Sequence, residues 1–354
     1  MDLNIIDLFC GAGGMSLGFK MEGFNTILAL DKWEDAIKTY NCNHEKKVGE
    51  TTDIYDFSDQ ELIELTQKKK VVGIIGGPPC QGFSMVGTRD HKDERNDLYL
   101  EYVRFVRNVN PDFFVLENVR GLLTLKDGYF KKDIVDRFTK LGYNVSFDIL
   151  RACNYGVPQS RERVFFIGLK KEKFGSVFFE FPKPTTIIPV STKDAISDLP
   201  SLDKKENPEI YRSEPKNEFQ QFMRAGMNKI YNNEVTNHTE KTKSVIAMVP
   251  DGGGIKDLPE EYYKIRNYNN AFKRMDSKLP SSTIDCGHRN YFHYLENRVP
   301  TVRESARIQS FPDNFIFKGS KTSQYTQVGN AVPPLLAKIL AHELKKILRG
   351  GKNE

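Results

Sequence analysis

A doubly wound, mostly parallel α/β sheet with a second, smaller, irregular β-containing domain is the fold this sequence predicts. Three observations carry that prediction. From Asn4 to Leu169, short β-rich runs alternate with stretches of helical pattern, the arrangement expected of parallel strands joined by crossover helices. Residues able to do chemistry recur at the carboxyl ends of the runs, where open α/β sheets bind ligands. After about Phe181 the alternation stops.

Taken in order, Asn4 to Phe9 is a strand, followed by the glycine loop CGAGG and an amphipathic helix around Ser16 to Met21. Thr26 to Leu30 is a second strand, ending in Asp31, and Glu34 to Asn43 is helical. Asp53 ends a short third element. Asp59 to Gln67 is helical, with Asp59 as its cap. Val71 to Ile75 is a fourth strand, Leu98 to Val109 a helix, Phe113 to Glu117 a fifth strand and Phe130 to Leu141 a helix. Val145 to Leu150 and Val164 to Leu169 close the sheet. The proline- and threonine-rich stretch PKPTTIIPVST then marks a boundary. We expect a catalytic and cofactor-binding domain over residues 1–181 and a second domain over 182–299. Residues 300–354 are expected to return to the first domain: a short helix in TVRESARIQSF and a closing helix over Ala331 to Leu348, both at helical spacing.

The chain has 354 residues, 39% hydrophobic and 28% charged, enough for a substantial core. A net charge of +5 permits a polyanionic partner without demanding one. No apolar run is long enough to span a bilayer, and MDLNIIDLFCGAGG lacks the pattern of a secretory signal. The five cysteines, Cys10, Cys42, Cys80, Cys153 and Cys286, are odd in number and form no CxxC pair. That argues against a disulfide framework or a structural zinc site and for a reducing, cytoplasmic setting.

In DLFCGAGGMSLGF the glycines lie between a strand and a helix, where backbone can approach a ligand closely. The full GxGxxG spacing is missing, which argues against a dinucleotide site. Asp31 could accept hydrogen bonds from ribose hydroxyls, and Asp53 could take an adenine amino group. Either alone is what an ordinary cap would look like; with the glycine loop they point to a nucleoside-containing cofactor. In GGPPCQGFS, Pro78 and Pro79 stiffen the approach to Cys80, and the surrounding glycines permit close contact. A stiffly presented thiol at a strand's end suits covalent catalysis. Glu117, in ENV, ends an apolar strand, where burial favours a protonated carboxyl. Gln159, Arg161 and Arg163 in QSRER alternate at strand spacing and so share one face, either a solvent face or the lining of a site.

In that order the segments resemble the DNA cytosine-5 methyltransferases, over nearly the whole chain. DLFCGAGG resembles the family's first cofactor motif, GGPPCQGFS the nucleophile motif, ENV the acid motif and QSRER its QxRxR pattern. RVPTVRESARIQSFPDNF and QVGNAVPPLLA resemble the last two motifs. The resemblance implies a class I S-adenosylmethionine-dependent fold in which Cys80 adds to carbon 6 of cytosine. Glu117 then contacts the ring nitrogen and exocyclic amine, while Arg163, Arg161 and Gln159 position the base. Phe9, Gly11, Gly13, Gly14, Asp31, Trp33, Asp53, Pro79, Leu98 and Asn330 fall where the family contacts S-adenosylmethionine. Residues 182–299 match the target recognition domain. Gln81, Ser84, Arg266, Arg274 and Arg289 are candidates for contact with double-stranded DNA, and no metal is implied. Because the target atoms lie inside a stacked duplex, the base must be flipped out.

Two features depart from the family. Asp31 stands where a glutamate is frequent, and Lys32 stands where an aromatic would stack on adenine, with Trp33 one position later. The long N-terminal regions of the eukaryotic maintenance enzymes are absent, which leads us to expect a compact, monomeric bacterial or phage modification enzyme. It would act in the cytosol on nucleoid DNA, with or without a cognate restriction endonuclease. The alternative is a tRNA cytosine-5 methyltransferase of the same fold. Those proteins carry a CFT tripeptide that this chain lacks, and PPCQPFT where this one has PPCQGFS. A non-enzymatic DNA-binding protein would have no need of intact motifs, and a dehydrogenase would need the missing glycine spacing.

Overall fold

The strands of the first half are apolar on both faces, and that requires helices on both sides of a sheet. The computed structural model describes residues 2–79, 98–262, 272–287 and 291–350. Cys80, Gln81, Ser84, Arg266 and Arg289 lie outside the described residues. The main sheet is built from β1 (Asn4–Leu8), β2 (Asn25–Asp31), β3 (Gly49–Thr51), β4 (Gly73–Gly76), β5 (Phe113–Val119), β6 (Tyr143–Arg151) and β7 (Glu162–Lys170). Its order is β3-β2-β1-β4-β5-β7-β6. The pairs from β3 through β5 are parallel. Only β7 runs against its neighbours, β5 and β6. The fold class read from the alternation is the one observed.

Strand β1 lies between β2 and β4, so the strand order reverses there. The carboxyl ends of β1 and β4 flank that reversal, the usual ligand site in such sheets. The loops at those ends are CGAGG and GGPPC.

Helices α1 (Gly14–Met21), α2 (Glu34–Asn43), α3 (Asp59–Lys68), α4 (Leu98–Val109), α5 (Tyr129–Lys140) and α6 (Lys171–Phe174) complete this half. The α3 cap is Ser58 rather than Asp59. The Ser58 hydroxyl accepts the Glu61 amide and the Glu61 carboxylate takes the Ser58 amide, a reciprocal pair that an aspartate at the first helical position cannot make. Tyr102 of α4 is fully buried, and its hydroxyl donates to the carbonyls of Ile74 and Val115 in β4 and β5. Phe114 stacks on Phe138 of α5 with ring centroids 4.0 Å apart. Burying each such ring contributes about 1.5–3 kcal/mol.

The chain divides into two units. The first comprises residues 1–151, 162–183 and 336–354, the second 152–161 and 184–335. Residues 300–335 therefore belong to the second unit, not to the first as the sequence reading placed them. Buried ion pairs explain it. The second unit holds α7 (Thr192–Ile196), α8 (Glu218–Arg224), α9 (Glu240–Met248), α10 (Val302–Ile308) and α11 (Lys321–Asn330). Arg307 of α10 binds Asp198 at 2.5 Å and Asp313 at 2.6 Å, with all three side chains buried. Arg298 forks onto Glu304 at 2.7 Å. Burial alone would raise the Glu304 carboxyl, but Arg298 and His293 outweigh it and hold it at about 2. Breaking such a pair leaves an uncompensated buried charge. The expected small sheet is present as β8 (Lys273–Arg274) paired with β9 (Tyr291–Phe292). The short helices α7–α9, which the sequence pattern did not announce, precede it in sequence.

The closing helix α12 (Pro334–Leu348) starts three residues later than its apolar spacing suggested. Pro333 and Pro334 explain the delay, since a residue preceding proline is driven out of helical geometry.

Candidate active site

The loop after β1 is built for close approach. Phe9, Gly11 and Gly13 all have positive φ, at 57°, 52° and 90°. Gly13 caps α1, which begins at Gly14. At the end of β2, the Asp31 carboxylate accepts the Gly11 amide and the Trp33 amide, each at 2.9 Å. Burial raises its pKa against those two amides and the Lys32 cation. A carboxylate offers about four acceptor positions, more than these amides use, so it can still accept a ligand hydroxyl. A side chain built at Gly11 would meet nothing within 4 Å, so the loop faces open space. Trp33 is partly exposed beside Asp31. Asp53 lies two residues beyond β3 and accepts the Tyr55 amide at 3.3 Å. These side chains fit a ribose-and-adenine group. Leu98 is buried in the hydrophobic core at the start of α4.

Beneath the loop lies a group that the sequence reading overlooked. Asp7 is 1% exposed and accepts the Ser16 hydroxyl at 2.6 Å, and Ser16 in turn accepts the Tyr40 hydroxyl at 2.9 Å. Burial raises the Asp7 carboxyl to about 7; the Ser16 hydrogen bond opposes the rise and the Asp31 charge adds to it. The folded protein thus holds a proton there that the unfolded chain has lost. Stability from this group is full below roughly pH 4 and falls as pH rises through about 7. Asp7→Asn is therefore expected to gain stability on the wild type across that window, by up to a few kcal/mol, with the difference constant above it. Thermal unfolding from acid to mildly alkaline pH checks this; a difference independent of pH overturns it.

The second half of the site stands on β4, β5 and β7. Glu117 is near the end of β5, and Arg163 on β7 lies diagonally across the antiparallel pair, opposite Val119. The Arg163 Nε is 2.9 Å from the Glu117 Oε1, with both side chains largely buried. Burial favours a protonated carboxyl, as the sequence reading had it, but the guanidinium acts in the opposite direction. Gly77 allows a close approach here: a Cβ on it would lie 2.7 Å from the Glu117 Oε2. Asn118 is buried, and its Nδ2 donates to the Pro78 carbonyl at 3.2 Å. The run through Pro79 is thus seated against the acid's own strand, and Cys80 follows it in sequence. Asn118 was missed although it stands inside ENV, because an asparagine gives no signal of its own until a carbonyl is found beside it.

Gln159 and Arg161 have partners other than those of Arg163. Both precede β7, are buried, and hydrogen-bond within the second unit. Gln159 accepts the Ile284 amide at 2.9 Å and donates to the Gln309 Oε1 at 2.5 Å. Arg161 donates to the carbonyls of Ile284 at 3.2 Å and Gly329 at 2.8 Å. The expectation is that these three position the base and neighbouring groups; Gln159 and Arg161 tie backbone segments together. Asn330 is exposed at the end of α11. Arg274 is corrected as a DNA contact. It is 5% exposed and spends its guanidinium on the carbonyls of Ile246, Val249, His293 and Glu296. Among the described residues no cluster of His, Cys, Asp or Glu could hold a metal ion, and no helix is long and apolar enough to cross a membrane.

A strand reversal at β1, a glycine loop tied to Asp31 and an acid–arginine pair on β5 and β7 are the layout of a ligand-binding α/β enzyme. The family model for C-5 cytosine-specific DNA methylases matches residues 3–346, and the chain belongs to that family. Its activity is DNA cytosine-5 methylation. The Type II methyltransferase M.DdeI of Desulfomicrobium norvegicum is 42% identical over 371 residues, covering 97% of this chain and 88% of that protein. M1.HphI of Haemophilus parahaemolyticus is 39% identical over 350 residues, covering 98% and 88%. A prophage-encoded E. coli protein described as a DNA modification methyltransferase superposes with a TM-score of 0.82 at 29% identity, covering 98% of this chain and all of that one. The S. pombe Dnmt2 structure, with a TM-score of 0.61 at 18% identity and covering 98% and 99% of the two chains, shares the fold.

Proposed function

We propose that the chain methylates carbon 5 of a cytosine flipped out of a specific double-stranded DNA sequence, through a covalent adduct with Cys80. The observation that carries the reading is the Glu117–Arg163 pair at 2.9 Å, with the approach to Cys80 seated against it at Gly77 and Pro78. Carbon 5 of cytosine is a poor nucleophile. Addition of the Cys80 thiolate at carbon 6 makes it enamine-like. Glu117, as a carboxylic acid, donates a proton to the ring nitrogen as negative charge develops there, and Arg163 fixes the direction of its carboxyl group. Loss of the carbon 5 proton then allows the thiolate to leave.

S-adenosylmethionine, when bound, supplies a methyl group made electrophilic by its sulfonium. Gly11, Asp31, Trp33 and Asp53 would hold its nucleoside. The similarity to Type II methyltransferases supports a bacterial restriction-modification role beside a cognate endonuclease, with the enzyme acting as a monomer in the cytosol.

Bisulfite sequencing of DNA from a host expressing the chain tests the target. A single sequence context with protected cytosines is expected. Parallel assays on duplex DNA and tRNA separate the alternatives, and labelling of tRNA alone overturns the proposal.

A further inference from the structure

The segment between β3 and α3 carries Asp53, and a side chain of α4 holds it. Arg104 donates through Nη2 to the carbonyls of Ile54 at 3.0 Å and Phe57 at 2.9 Å. Its Nη1 donates to the Asp59 carboxylate and its Nε to the Glu101 carboxylate at 2.6 Å. We propose that Arg104 is a positioning residue for S-adenosylmethionine: its guanidinium fixes the backbone beside Asp53, so that the Asp53 carboxylate meets the adenine amino group. The proposal rests on the reading of Asp53 as the acceptor of that amine, and every residue in it belongs to the first unit.

Both ends of the segment have anchors of their own. The Thr52 amide donates to the Asp31 carbonyl at 3.0 Å, which ties the segment to the acid assigned to the ribose, and Ser58 caps α3. Between them Ile54 and Phe57 are buried, while Tyr55 and Asp56 are exposed. The Asp56 amide donates to the Asp53 carbonyl at 2.9 Å and the Tyr55 amide to the Asp53 Oδ1 at 3.3 Å, so Oδ2 is left to accept the amine. In an aspartate turn of this kind the carboxylate follows the backbone two residues on. That backbone is the stretch whose carbonyls Arg104 spans. A planar fork can serve two carbonyls and a carboxylate together, whereas an ammonium is a point charge. The Asp59 side chain is 52% exposed, so its ion pair adds little, and the two carbonyls are the contacts that matter.

The test is calorimetric titration of the full chain with S-adenosylhomocysteine and with its analogue carrying hydrogen in place of the adenine amino group. The wild type is expected to prefer the amino form about 10- to 100-fold, the range of a hydrogen bond to a charged acceptor. Arg104→Lys is expected to reduce that preference to about threefold or less. In kinetics on duplex DNA the same variant raises the KM for S-adenosylmethionine about 10-fold and leaves kcat at saturation unchanged. Both ligands are titrated into the same protein, so a smaller folded fraction weakens both alike and leaves their ratio where it was. Arg104→Met, which keeps the stem and loses every donor, gives the same loss of preference. Asp53→Ala loses the preference by itself, and adding Arg104→Lys to it changes the ratio no further, because coupled residues are not additive. If Asp53→Ala loses the preference while both Arg104 variants keep it, the positioning role is wrong and the reading of Asp53 stands. If Asp53→Ala keeps the preference, that reading fails and the proposal falls with it.

Discussion

Cys80→Ala is expected to abolish methyl transfer, by on the order of 10⁴-fold or more, while cofactor affinity stays within about twofold of the wild type. The two halves of the result have separate causes. No other group in the reading adds to carbon 6, so without the thiolate carbon 5 stays too weak a nucleophile. The cofactor side is built on the ends of β1, β2 and β3. There the Asp31 carboxylate closes onto the amides of Gly11 and Trp33, and none of those bonds involves the loop after β4. Transfer of labelled methyl groups to duplex DNA measures the first half and titration with S-adenosylmethionine the second. Undiminished transfer would remove the covalent mechanism. A parallel loss of cofactor binding would show that the thiol also shapes the nucleoside pocket. The basic second unit adds an expectation of salt-sensitive duplex binding, but the arginine chosen for it needs revision, because Arg274 is committed to four carbonyls of its own unit.

Arg274 shows where sequence reading reached its limit. The sheet was legible because its strands are buried on both faces, so apolar runs and crossover helices follow a period that can be counted. The acid, the glycine loop and Asp31 were legible because they end such runs. The second unit has no comparable period. Its core is held by ion pairs such as Arg307 with Asp198 and Asp313 and by arginines saturated with carbonyls. An arginine buried this way cannot be told in sequence from one left free to meet a phosphate. Gln159 and Arg161 show the same limit: strand spacing names them together with Arg163, but β7 begins only at Glu162 and the backbone groups they hold lie far along the chain. Asp7 was hidden by its position inside the cofactor motif, where the glycines drew the attention and the carboxyl looked like one more strand residue.

Glu117→Gln keeps the side chain's shape and removes its charge, and is expected to lower kcat by about 10²- to 10⁴-fold, the range of a lost general acid–base group. The KM for S-adenosylmethionine should not move, since Glu117 stands on β5 and the nucleoside loop follows β1. The pair with Arg163 makes the variant more informative than a simple deletion. In Glu117→Gln the largely buried guanidinium of Arg163 faces a neutral amide. Arg163→Ala produces the opposite fault, a largely buried carboxylate without its cation, which costs stability as well as rate. Removing both partners should therefore be less harmful than the sum of the single changes, with an interaction energy of about 0.5–3 kcal/mol in a double-mutant cycle. Melting temperatures and kcat for the four proteins measure it. Additive effects would mean that the two side chains act independently and that Arg163 does not set the carboxylate's direction. A Glu117→Gln variant with kcat near the wild type would remove Glu117 from the chemistry, leaving the close approach at Gly77 as packing alone.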